Sequence, residues 1–345
     1  MTDPFAQPKA RVRAYLHARD TAPPGSLAAA LAPHIGPACT WALSRPLASP
    51  DVPLTGAEAF AAAWEPLRAA LAACTRDEQI RFAGVFRGET WVTCYGVLNG
   101  TFANPFHGIA PTGGPVSLRY GEFYQVHDGV IVRVYAIYDV IGLMEQAGIF
   151  VLPRSAGSGA LPPPATGDGV PDLMPDLAHD PAEGEASFNL VHQMLFEGLN
   201  RFDQTDKTSM GMTRFWKPDM RWYGPAAIGT CIGLGEFERF HQMPFLHAFP
   251  DRVCTAQEAL IGEGAYTAAS GCPGVVGTHT GEYLGHPATG RRIRMFVMDW
   301  WRREGDLLAE NWVLIDLIDI FAQFGVDLMA RARAHVNTDH SEVHG

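Results

Sequence analysis

None of the six cysteines, Cys39, Cys74, Cys94, Cys231, Cys254 and Cys272, stands at CxxC or other metal-ligand spacing, so a zinc ribbon or dithiol redox motif is not expected and the thiols read as reduced and mostly buried. His107, His241, His247, His279 and His286 contain no HxH or HxxxH pair, and no metal site is expected. The chain also lacks a Walker motif and a GxGxxG that follows a strand and opens a helix, which argues against a nucleotide cofactor. Basic clusters are scarce: the formal net charge is −11, the wrong sign for a surface that displaces counterions from nucleic acid. No charge-free apolar run reaches about 18 residues, and the first residues carry no basic start before an apolar run, so neither a membrane span nor a leader is expected. A cytoplasmic protein without cofactor, whose partners are small molecules or other protein surfaces, is the reading these absences leave.

What the chain does have is length and repetition. Its 345 residues, 47% of them hydrophobic, suffice for two cores at about 150 residues each. The stretch GTHTGEYLGHPATGRRIRMFVMDWWRREGDLLAENWVLIDLIDIFAQFGV, residues 277–326, is a near-restatement of TFANPFHGIAPTGGPVSLRYGEFYQVHDGVIVRVYAIYDVIGLMEQAGI. Asp139, Gln146 and Gly148 recur with unchanged spacing as Asp316, Gln323 and Gly325, the mark of an internal duplication. Pro66 recurs as Pro244 one position out of phase, which implies one small insertion or deletion.

Each copy is expected to start with helices. Val12, Tyr15, Leu16 and Arg19 share one face of a first helix. Thr55 with Glu58 suggests a capping box for a second, carrying Phe60, Trp64, Leu67 and Leu71 and interrupted at Pro66. Phe188, Val191, Leu195 and Leu199, then residues 236–249, play these parts in the second copy. Alternating patterns around Arg87-Gly88 and around Gly262-Glu263-Gly264 predict hairpins. Residues 153–184, rich in Pro, Gly and Asp, read as a linker. The expected division is therefore 1–152 and 185–330, with a polar tail over 331–345. The class is α+β: antiparallel sheets, strongly twisted into cones around helices.

With Asp299-Trp300-Trp301, Glu310-Asn311-Trp312, Asp316 and Gln323-Phe324-Gly325 in place, residues 186–326 resemble the SnoaL-like polyketide cyclases and ester cyclases of the NTF2-like superfamily. A weaker version over about 9–150 keeps Pro111-Thr112-Gly113, Asp139 and Gln146-Ala147-Gly148. The resemblance implies two tandem NTF2-like cones. In that family the acidic residue ending this strand is the general base, which places the role on Asp316, with Asp139 as its counterpart.

Strand parity sets Asp316 on one face with Leu314, Trp312 and Glu310. If the preceding turn has two residues, Ile293, Met295, Val297, Asp299 and Trp301 join them in one apolar wall carrying three carboxylates. Asp316 as catalytic base and His279 as acid or carbonyl-polarising group are the catalytic candidates. Asp299, Glu310, Trp312, Trp301, Met295, His241, His247 and Tyr283 are the substrate-binding candidates. Competing with this, Asp316 and Asp139 precede helices and can serve as N-caps, and His279 can be a histidine held in the core. Matching Gly281 with Gly100 sets His279 opposite Leu98, and His107 and His286 are expected at the surface.

The expected function is a cofactor-independent enzyme in the second copy that abstracts a proton next to a carbonyl, in aldol-type cyclisation, isomerisation or elimination. Epoxide hydrolysis by Asp299, Arg294 and Asp316, dehydration, and a non-catalytic binding or assembly module are the alternatives. The first copy is expected to cover the open sheet of the second as a partner subunit would, and such chains could pair again into a homodimer.

Overall fold

The computed structural model describes residues 3–158, 180–203, 206, 208–255 and 257–339. Most of the expected linker, residues 159–179, lies outside them. The first half runs α1 (Ala6–Thr21), α2 (Leu27–Leu31), β1 (Ile35–Leu43), β2 (Leu54–Thr55), α3 (Ala57–Ala70), then four long strands and a short helix: β3 (Leu71–Phe86), β4 (Glu89–Phe102), β5 (Pro115–His127), β6 (Val130–Tyr138) and α4 (Val140–Gln146). The second half repeats this: α5 (Pro181–Gln193), β7 (Trp216–Tyr223), β8 (Thr230–Ile232), α6 (Gly233–Phe237), α7 (Met243–Ala248), β9 (Val253–Cys254), β10 (Ala259–Glu263), β11 (Tyr266–Thr278), β12 (Arg292–Glu304), β13 (Leu307–Ile315) and α8 (Leu317–Phe324). A further helix, α9 (Leu328–Asp339), ends the described chain.

The sheets are ordered β2-β1-β6-β5-β4-β3 and β10-β11-β12-β13-β7-β8, with β9 on β11. They are mixed rather than antiparallel, because β1 runs parallel to β6 and β7 parallel to β13. Neither parallel strand was expected: each carries a proline, Pro37 or Pro218, and is too irregular to show clean alternation. Other expectations need correction. Gly56, at φ 83°, stands at the N-cap of α3 with no side-chain cap bond, and the helix continues through Pro66. In the second half the matching helix is broken by a π turn over Glu238–Gln242. α5 starts at Pro181, inside the expected linker, with the Asp180 carboxylate accepting from Ala182 N (3.0 Å). α9 occupies the expected polar tail, and Leu328, Met329 and Ala332 are buried in the core of the first half.

Helices α1 and α3 fill the concave side of the first sheet, where Trp41 stacks on Phe60 and Phe60 on Trp64. The convex sides of the two sheets pack on each other. Ile80, Phe82, Trp91, Tyr95 and Phe123 of the first half share one buried cluster with Tyr266, Phe296, Met298, Trp300, Trp312 and Leu314 of the second. Trp300 donates to Thr93 Oγ1 (2.9 Å), satisfying its indole N–H inside an apolar seam. The seam is tight enough to dictate glycine at position 121, since a Cβ there would lie 2.2 Å from Trp300. At the edge, Glu263 of β10 accepts from Ala83 N (2.8 Å) and pairs with Lys9 (2.6 Å), both of the first half.

Gly121→Val should therefore overpack the seam, with a cost of about 1–3 kcal/mol and a melting temperature lowered by several degrees in thermal unfolding. A variant that melts with the wild type would contradict this packing.

Candidate active site in the second half

Alternation along β12 divides its side chains between two environments. Phe296, Met298 and Trp300 enter the seam, so Met295, Val297, Asp299 and Trp301 face the other way, into the concave side of the second sheet. There a cavity of about 130 Å³ opens between the sheet and the helical segments. Its walls are largely apolar, with Met194, Leu195, Met212, Trp216, Trp222 and Phe237 among them. Several polar groups converge on it: His241, Gln242, Arg252, Tyr283, Asp299 and Asn311.

Asp299 is the carboxylate of this cavity. It sits opposite Val313 in the ladder, and Asn311 Nδ2 donates to it at 3.2 Å. Among the described residues it has no ion pair. Burial in an apolar wall pushes its carboxyl up to about 7, with the Asn311 bond pulling weakly the other way. His241 stacks on Trp222 with ring centroids 4.1 Å apart. Burial, with the positive charge of Arg252, pushes its imidazole down to about 3, so it is neutral at pH 7. Arg252 follows the turn after α7, and Asp251 pins that turn by accepting from Thr278 N (2.6 Å) and Arg292 (2.6 Å) on the outer side. The neighbouring Arg252 side chain is left pointing inward.

Of the expected site residues, Asp299, Trp301, Met295, His241 and Tyr283 line the cavity. Asp316, Glu310, Trp312, His279 and His247 do not. The reason for the first three is one residue. The β12–β13 turn has two residues, Gly305-Asp306, with Glu304 opposite Leu307. Arg303 then opposes Leu308 while Arg302 opposes Glu310, so Ala309 is a bulge. That bulge reverses the parity of β13. Asn311, Val313 and Ile315 share the cavity face with Asp299, and Glu310, Trp312 and Leu314 turn to the seam.

Glu310 accepts from Tyr223 Oη (3.0 Å) and pairs with Arg302 (2.5 Å). Trp312 packs among Tyr95, Tyr223 and Tyr266. Asp316 is the N-cap of α8, accepting from Asp319 N (3.0 Å), and it also accepts from Arg45 N (2.8 Å) of the first half. Burial pushes it too up to about 7, the Arg45 N–H opposing, but the void that it lines is about 10 Å³, room for about one water. Asp139 does the same in reverse, capping α4 through Gly142 N (3.1 Å) and accepting from Ala226 N (3.1 Å) of the second half. The two aspartates are thus reciprocal clamps between the halves.

His279 is a core residue. The ladder sets Gly277 opposite Ile293 as Gly100 is set opposite Val116, so His279 corresponds to Phe102 and not to Leu98. It stacks on Phe324 (centroids 3.9 Å apart) and its Nδ1 meets Thr289 Oγ1 at 3.1 Å. His247 is exposed, and His286, expected at the surface, is half-buried against Phe324. Arg294 pairs with Asp51 (2.9 Å) at the surface, so an Asp299–Arg294–Asp316 cluster does not assemble. Sequence reasoning missed Asn311, Arg252 and Gln242 as site residues. Only the bulge reveals Asn311, and a lone arginine between Pro250 and Val253 is a weak signal.

The first half carries the same inward carboxylate in a different setting. Glu122, opposite Ala136, holds the position of Asp299 opposite Val313. It accepts from Arg19 Nη1 (2.7 Å), Tyr124 Oη (2.6 Å) and Tyr138 Oη (2.6 Å). Arg19 in turn lies over Trp64 (4.7 Å). This network fills the hollow that is open in the second half.

Among the described residues no group of three or more His, Cys, Asp or Glu converges as a metal site, and no helix is long and apolar enough to cross a membrane.

Two curved mixed sheets, each wrapped on helices and one enclosing a cavity with a buried carboxyl, define a tandem NTF2-like protein. The model of the SnoaL-like polyketide cyclase family matches residues 45–147 and 191–324, more than half of the sequence, and the chain belongs to that family. Similar solved structures include a candidate SnoaL-like polyketide cyclase from Jannaschia sp. CCS1. It is 15% identical, with TM-score 0.37, covering 44% of this chain and 98% of that one. TsrD from Streptomyces laurentii is 23% identical, with TM-score 0.32, covering 42% and 97%. An NTF2-like protein from Burkholderia thailandensis E264 is 22% identical, with TM-score 0.31, covering 41% and 96%. No curated protein matches.

Asp299 makes stability depend on pH in a defined direction. Unfolded, it releases its proton near 3.8; folded, it keeps it to about 7. Its contribution is therefore full below the lower value and is lost as pH rises through about 7. Asp299→Asn should gain stability relative to wild type across that window, reaching the order of a few kcal/mol by about pH 8, measured by calorimetric melting at a series of pH values. A difference that stays flat with pH would contradict the burial of this carboxyl.

Proposed function

We propose that the chain is a cofactor-independent acid/base enzyme whose site is the cavity of the second half, acting on a small, partly apolar molecule with a carbonyl group. Asp299 is the general base. The single observation that carries this reading is a carboxyl set in an apolar cavity and held near neutrality by burial, the range in which a base combines availability with strength. The ionised carboxylate takes a proton from the carbon next to the carbonyl, leaving an enolate. The enolate oxygen is met by N–H or O–H donors of the wall, for which Trp301 and Tyr283 are available. The enolate carbon then adds to a second carbonyl, whose oxygen takes the proton from Asp299; or an extended enolate takes that proton back at another carbon; or the enolate expels a group from the β-carbon and Asp299 gives that group the proton, so that each route returns the carboxylate. Asn311 orients the carboxylate. His241, neutral, contributes shape and stacking rather than proton transfer.

Asp316, which the family resemblance favoured for this role, clamps the halves together instead. Domain limits near 152 and 181, the latter set by the start of α5, and a polyketide-like substrate belong to the same proposal and follow from the family and the duplication.

Proton abstraction can be tested without the natural substrate. Exchange of α-hydrogens of small aryl ketones for deuterium, followed by proton NMR in heavy water, should be accelerated by the protein. Asp299→Asn should cost about 10²–10⁴ in that rate, while Asp316→Asn, if folded, should keep it within several-fold. The rate should rise with pH through about 7, because the base must be ionised. An Asp299→Asn variant that exchanges like the wild type would remove proton abstraction by this residue.

A further inference from the structure

We propose that the cavity is built for a small organic anion, a carboxylate on an otherwise apolar skeleton, whose oxygens pair with Arg252; this rests on the reading of the cavity as the substrate site. Arg252 is 7% exposed and lines the cavity. Among the described residues its Nη2 reaches only the sulfur of Met210 at 3.2 Å, a weak acceptor, and its Nη1 has no partner. Among the described residues no carboxylate forms an ion pair with it, although Asp299 lines the same cavity. The carboxylate adjacent in sequence, Asp251, is turned outward to Thr278 and Arg292.

A guanidinium in such a place is costly unless it is paired. The arrangement is that of half an ion pair whose other half arrives with the ligand. Arg252 is the one cationic side chain that lines the cavity among the described residues. The other unsatisfied buried groups around it are donors as well: Gln242 Nε2, Trp216 Nε1, Trp301 Nε1 and Tyr283 Oη. A ligand that fits brings oxygen acceptors, one pair of them charged. The planar fork of an arginine matches a carboxylate with two parallel hydrogen bonds, and the apolar remainder of the wall takes the hydrocarbon. Arg252 would then be the specificity-determining residue, holding the acid group while the carbon to be deprotonated lies toward Asp299.

The test uses benzoate and benzamide, which share shape and differ in charge, titrated into the full chain with tryptophan fluorescence and calorimetry as readouts. Benzoate should bind at least about tenfold more tightly than benzamide. Arg252→Met should remove about tenfold or more from benzoate affinity and leave benzamide within about threefold, with Arg252→Lys between. Equal binding of the two probes to the wild type, or an Arg252→Met variant that keeps the benzoate preference, would overturn the inference. Should Arg252→Met fail to fold, the wild-type comparison and Arg252→Lys decide alone. Binding of neither probe would overturn the cavity reading and this inference together. A benzoate preference that depends on Arg252, alongside unchanged ketone exchange in Asp299→Asn, would leave this inference standing and remove only proton abstraction.

Discussion

The structure depends on one seam. Two twisted sheets lie back to back, and the indole of Trp300 fills the space that Gly121 leaves by having no side chain. Once Phe296, Met298 and Trp300 are committed to that seam, the pleat leaves Met295, Val297, Asp299 and Trp301 no choice but the opposite face. The catalytic geometry proposed here is thus a by-product of how the halves pack. The aspartate clamps reinforce it: Asp139 and Asp316 each cap a helix of their own half while holding a backbone N–H of the other.

Duplication explains the architecture, and divergence explains the chemistry. Both halves place a carboxylate at the same point of the same strand. In the first, Arg19, Tyr124 and Tyr138 saturate Glu122, and a hollow so filled serves as a core. A buried ion pair of this kind gives little net stability but is expensive to break, which suits a half whose task is to present a rigid back surface. In the second, the equivalent carboxyl has an amide for company and open space beside it. The same scaffold is filled in one half and open in the other.

Much of this was legible from residue spacing. The repeated Asp, Gln and Gly positions gave the duplication, alternation gave the hairpins, and the family motif gave the cone. What failed was local. A single bulge at Ala309 exchanged the two faces of β13, sending Trp312 and Glu310 to the seam and bringing Asn311 to the cavity. No residue type announces a bulge of this sort, and a strand buried on both faces offers no polar side to fix its parity. His279 looked chemical because histidine is chemical, yet it stands where the first half has Phe102 and stacks as a phenyl ring would. Arg252 could not be found because its importance lies in what it fails to touch.

Burial poises the cavity carboxyl of Asp299 near neutrality. Carbon-detected NMR of protein labelled at aspartate carboxyls, titrated from about pH 4 to 9 with Asp299→Asn to assign the resonance, reads that property without reference to any substrate. The midpoint expected for Asp299 is about 7. A midpoint near 3.8, the ordinary aspartate value, would show a solvated or paired carboxylate and contradict it.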